Sequence, residues 1–175
     1  MTTRATTLVV GLGNPILGDD GVGWRVAQEV QVRLTSMDVN VACLALGGVA
    51  LMEQLMGYQH AIIIDAMTTG APIGTVLCAL LAELPNPAAG HTASSHDTSL
   101  ATALKLGRAL GAQLPEEVWV LAVETERLHE FSAGLPTAVA EAVPKTVRMV
   151  DKCLMDLLES AAHFGTAHQH AREPA

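Results

Sequence analysis

Aromatic side chains are scarce: Phe, Tyr and Trp together make up 3% of the 175 residues. A core must therefore be built from Val, Leu, Ile, Ala and Met, which suits a buried sheet covered by helices better than an aromatic-rich β-sandwich. Positive charge is also in short supply, with 10 Lys and Arg against 18 Asp and Glu and a net charge of −8. Nucleic-acid affinity comes largely from Lys and Arg releasing counterions, so the balance argues against a phosphate-tracking surface and leaves room only for a local basic patch. Cysteine is limited to Cys43, Cys78 and Cys153, odd in number and without a C-x-x-C pair. That arrangement argues against a disulfide framework or a thiolate zinc site and for reduced core thiols. No apolar stretch approaches the ~18 residues of a membrane span, and the opening segment has too short an apolar run for a signal peptide. The expectation is a soluble, cytoplasmic protein with no nucleic-acid partner and no membrane insertion.

Half of the residues are hydrophobic and 16% are charged, enough apolar content for one compact domain. Thr7 to Val10 predict a buried strand that leaves the sheet through Gly11, Leu12 and Gly13. Val22, Val26, Val30 and Leu34, at every fourth position, predict a helix with one core-facing stripe, Asp19 and Asp20 lying at its start. Val39 to Leu46 predict a second strand, and Leu51 to Met56 a short helix. Ala61 to Ile64 predict a third strand ending at Asp65, and Thr75 to Leu80 a fourth, antiparallel to its neighbour because the connection is short. Residues 83–95 hold Pro85, Pro87 and Gly90 without periodicity and read as a loop that delivers His91 and His96. A helix marked by Leu100, Ala103, Leu104 and Leu110 follows, with Ser94, Ser95 or Asp97 as its expected cap. Val118 to Val123 give a last strand ending at Glu124. Pro144 interrupts the stripe Val139, Val143, Val147, Val150, Leu154 and Leu157, so the prediction breaks that segment into a short helix and a longer one from Pro144 to about Ala161. Together these elements predict an α/β three-layer sandwich: an open, mainly parallel twisted sheet of about five strands with helices on both faces. A single domain over residues 1–162 is expected, with a disordered His-containing tail over 163–175.

In such sheets ligands collect beyond the carboxyl ends of the strands, where loops and helix N-termini form a crevice. Asp19 and Asp20 after the first strand, Asp65 closing the third and His96 before a helix should all arrive there. Two carboxylates and an imidazole suit nickel or zinc and leave coordination positions open. Each residue also has a plainer role available. Asp19 is a natural helix cap, which makes Asp20 redundant as a second one. Asp65 could organise a turn and His96 could be a capping or surface residue, while spacing alone does not choose between His91 and His96. His168 and His170 in the tail read as solvated.

The run Gly11-Leu-Gly-Asn-Pro-Ile-Leu-Gly-Asp-Asp-Gly-Val-Gly23 resembles the signature of hydrogenase maturation proteases. Three further segments agree in order: Gly47 and Gly48 with Leu51, then Ile63 to Gly70 with Pro72, Gly74 and Thr75 behind it, then Ser94, Ser95 and His96. The resemblance spans about Leu8 to Leu158. It implies an endopeptidase that removes the C-terminal extension of a nickel-iron hydrogenase large-subunit precursor. It also implies that Asp20, Asp65 and His96 contact nickel carried by the substrate rather than a resident cofactor. Asp20 is then the first candidate for general base, with Asp65 beside it as a catalytic residue and Glu124 given no catalytic part. The acid pair is Asp-Asp where some members carry Asp-Glu, which shortens the reach of Asp20 by one methylene.

Three other readings compete. Ile16 stands where a dinucleotide-binding G-x-G-x-x-G needs glycine, and the acids would repel a pyrophosphate at the helix start. Val9 to Pro15 look like the opening of a peptidyl-tRNA hydrolase, yet Asp19, Asp20 and Gly21 replace the residues that family needs. A noncatalytic nickel-binding maturation chaperone would use the same three ligands.

Overall fold

The computed structural model describes residues 6–34, 38–84, 99–126 and 134–169, with backbone alone beyond residue 157. Five strands, β1 (Thr7–Leu12), β2 (Val39–Leu44), β3 (His60–Met67), β4 (Val76–Leu80) and β5 (Glu117–Glu124), form one sheet in the order β2-β1-β3-β5-β4. Every pairing is parallel except β4 with β5. Four helices, α1 (Val22–Arg33), α2 (Gly48–Leu55), α3 (Leu100–Ala109) and α4 (Thr137–Gln169), cover the two faces. The predicted α/β three-layer sandwich is therefore the fold observed.

The two-residue period of a strand sends alternate side chains to opposite faces, and each face has its own core. Val9, Ile62, Ile64, Leu121 and Val123 pack with the stripes of α1 and α4. Leu8, Val10, Ala61, Ile63 and Val118 pack with Leu51, Met52 and Leu55 of α2 and with Ala103 and Leu104 of α3. Strands buried on both sides explain why Ala61 to Ile64 is a continuous apolar run rather than an alternating one.

Several boundaries differ from the sequence prediction, for identifiable reasons. β3 continues past Asp65 to Met67 because β5 pairs with it along its whole length, Asp65 opposite Ala122 and Met67 opposite Glu124. Asp65 is thus inside a strand and not its last residue. β4 is antiparallel as expected, but its partner is β5 and not its predecessor in sequence. The 68–75 connection crosses the end of β5 to reach that position, and β5 holds it through Gly74 N to Glu124 O at 2.9 Å and Glu124 N to Thr75 O at 2.7 Å. Ser99 caps α3 by accepting from Thr102 N at 3.3 Å. Ser94, Ser95 and Asp97, the expected caps, lie outside the described residues.

α4 does not break at Pro144; helical backbone runs through it and on to Gln169, past the predicted end near Ala161. An interior proline costs about 3 kcal/mol. Val139, Val143, Val147, Val150, Leu154 and Leu157 are all buried on one face, and each contributes roughly 1.5–3 kcal/mol on burial, so packing outweighs the break. Cys153 on this helix meets Cys78 on β4 with the sulfurs 3.7 Å apart and both thiols free.

Candidate functional site

Three strands of the parallel set deliver their loops to the same edge. After β1 the chain turns at Gly13, whose φ of 121° is left-handed backbone. A side chain there would also strike the carbonyl of Asp20, so only glycine serves. The segment beyond it is braced from within. Asn14 Oδ1 accepts from Ile16 N at 3.1 Å, and Asn14 O accepts from Leu17 N at 3.0 Å. A short 3₁₀ turn over Gly18–Gly21 then carries Asp19 and Asp20 into α1. α1 rests directly on the sheet at Gly23, where a Cβ would collide with the carbonyls of Leu12 and Ile64.

Neither acid caps this helix through a side-chain hydrogen bond, contrary to the plainer expectation for Asp19. Asp20 reaches backward, its Oδ2 accepting from Asn14 N at 2.7 Å, which fixes the carboxylate over the exit of β1. Asp19 is buried, with Oδ2 unpartnered among the described residues. Burial pushes its carboxyl above the usual range, while backbone N–H groups of its own residue, Glu126 and Asp20 pull the other way.

Asp65 comes from the neighbouring strand β3 and accepts from Ala66 N at 2.8 Å. Burial pushes its carboxyl up to about 7; the Ala66 hydrogen bond opposes this, and the negative charge of Asp20 adds to the rise. That repulsion means the two carboxyl groups share one electrostatic environment, although 45 residues separate them. A crowded acid pair of this kind can hold a proton, accept one from water, or offer oxygen ligands to a cation that relieves the repulsion. His96 and His91 lie outside the described residues. Among the described residues, no three His, Cys, Asp or Glu side chains gather as a metal cage.

Glu124 has a part that the sequence does not reveal. It is 1% exposed, and its carboxylate accepts from Thr69 N at 2.6 Å, Thr69 Oγ1 at 2.8 Å and Gly70 N at 2.8 Å. It ties the β3–β4 connection to the end of β5. A lone Glu closing an apolar strand is the only sequence signal for this, because its donors come from more than fifty positions away.

Fold and site together define an α/β protein of the doubly wound type with a carboxyl pair at the C-terminal edge of its parallel strands. The comparisons give the class a family. A family profile described as hydrogenase maturation protease matches residues 24–152. The hydrogenase expression/formation protein HupD of Thiocapsa roseopersicina is 28% identical over 167 residues, covering 94% of this chain and 72% of that protein. The hydrogenase 2 maturation protease of Escherichia coli is 29% identical over 140 residues, covering 78% of this chain and 84% of that protein. The solved structure of the hydrogenase maturating endopeptidase HybD from E. coli superposes with a TM-score of 0.73 at 26% identity, over 86% of this chain and 92% of that one. The chain belongs to the hydrogenase maturation protease family, and it is an endopeptidase.

Proposed function

We propose that this endopeptidase removes the C-terminal extension of a nickel-iron hydrogenase large-subunit precursor in the cytoplasm, and that nickel already seated in the precursor is what it recognises. The observation that carries the reading is the pairing of Asp20 with Asp65: one carboxyl from the turn after β1 and one from within the neighbouring strand β3, close enough for the first to raise the second. Such a pair is poised for a cation, since a positive charge entering between them removes both the repulsion and the desolvation penalty. A metal bound in the substrate by thiolates with open positions accepts an incomplete set of O and N ligands, for which Asp20, Asp65 and His96 are the proposed donors.

With the precursor docked, nickel polarises the scissile carbonyl, and Asp20 takes a proton from the attacking water. The hydroxyl adds to the carbonyl carbon, the C–N bond breaks, and the proton leaves with the new amine. Asp65 holds the metal and the base in register. The reaction is thus an aspartate-dependent hydrolysis with no resident metal.

Incubation of the purified protein with nickel-loaded and nickel-free precursor, followed by mass spectrometry, tests this. Loss of one defined C-terminal peptide from the loaded form alone is expected, and equal processing of both forms refutes the role of nickel. Asp20→Asn should slow cleavage by about 10²–10⁴-fold, the usual contribution of a general base. Full activity in that variant would remove Asp20 from the chemistry, and binding without cleavage by the wild type would favour a chaperone.

A further inference from the structure

Three of the connections at the edge that holds the carboxyl pair carry no charge, whereas the exit of β5 carries Glu126, whose backbone N–H lies against Asp19. Residues 13–18 after β1, 45–50 after β2 and 66–75 after β3 contain no Asp, Glu, Lys or Arg apart from the site itself, in a chain that is 16% charged. Each of these neighbouring exits also offers large apolar side chains to solvent: Ile16 is 60% exposed, Leu46 39%, Val49 43% and Ile73 41%. Single exposed apolar residues are ordinary, but several from adjacent loops around one site are the mark of an interaction surface.

The backbone of the β1 and β3 exits is also braced. Gly13 N donates to Leu44 O at 3.2 Å, joining the first two exits. Asn14 holds Ile16 N, and Glu124 anchors Thr69 and Gly70 just before Ile73. Prearranged apolar surface loses little conformational entropy when a partner covers it.

We propose that this rim is the docking surface for the polypeptide substrate, and that it receives an uncharged, apolar segment flanking the bond to be cut. Ile16, Val49 and Ile73 then determine which polypeptide is processed. The inference rests on the protease reading above, because a chain that presents its metal or peptide bond to Asp20 and Asp65 must lie across these loops. A net charge of −8 opposes the other occupants of an apolar face, a second copy of the chain or an anionic bilayer.

The test measures precursor binding by calorimetry and cleavage kinetics side by side. The triple variant I16S/V49S/I73S should bind at least about tenfold more weakly and raise KM correspondingly, with kcat within about twofold, since partial burial of each side chain is lost. The single variants should each show a smaller loss in the same direction, which guards against misfolding of the triple variant. Leu110→Ser, 78% exposed beyond the end of α3, should match wild type in both assays. Wild-type binding and KM in the triple variant overturn the rim proposal and leave the protease reading intact. Rim-dependent binding without cleavage by the wild type overturns the protease reading and leaves the rim. A wild-type dimer in sedimentation that the triple variant abolishes, or rim-dependent binding to phosphatidylglycerol–phosphatidylcholine vesicles, assigns the surface elsewhere and overturns the proposal.

Discussion

Asp65 sits in a strand with an apolar neighbour on each side in sequence, an expensive place for a charge. Burial and the adjacent Asp20 raise its carboxyl from 3.8 to about 7, so between those values the folded chain holds a proton that the unfolded chain has lost. Stability contributed by this proton is fully present below about pH 4 and is lost as pH rises through 7. Asp19, shifted in the same direction, contributes with the same sign. Asp65→Asn should therefore flatten the fall in stability between about pH 4 and pH 7, read as urea midpoints. An unchanged slope in the variant would contradict the assignment. That Asp20 and Asp65 arrive at one edge was legible in the sequence because they follow strand patterns and sit in recognisable segments. The burial of Asp19 was not, since an acid at a helix start looks the same whether it caps the helix or lies beneath it. Glu124 was legible only as a strand end, because its donors at Thr69 and Gly70 are set by tertiary structure.

Among the elements, α4 is where local preference and packing disagree. The apolar stripe that runs through Pro144 was visible in sequence; that six buried side chains would hold the helix together across it was not, because the sheet they pack on is assembled from distant segments. Pro144→Ala should stabilise the protein by about 1–3 kcal/mol by restoring the backbone donor and removing the ring clash, measured as a higher urea midpoint at constant slope. A fall in midpoint would mean that the ring itself fills core space. β3 was extended two residues past its expected end for a similar reason, its last pairings being supplied by β5. The short 68–75 connection correctly implied an antiparallel β4, yet the crossing over β5 depended on Glu124, which no local pattern announces.

For the whole molecule, the class of fold followed from alternating apolar runs and amphipathic stripes, whereas the strand order β2-β1-β3-β5-β4 needed coordinates. The α1 and α4 core reaches the acid pair through Ile64 beside Asp65 and Val22 near Asp20, and Ile62 lies further back along β3. Ile62→Ala, at a fully buried position in the α1 and α4 core, should cost about 2–5 kcal/mol of stability. Precursor cleavage per folded molecule should remain within a few-fold of wild type; a much larger loss would mean that packing as far back as Ile62 bears on the acid pair. The Glu124 clamp has a kinetic consequence as well. The amides of Thr69 and Gly70 lie in a surface turn of the kind that ordinarily trades its hydrogens with solvent within seconds, yet both donate to a carboxylate that water does not reach. In deuterium they should exchange only when the end of β5 opens, so that this turn keeps time with the sheet rather than with the loops around it.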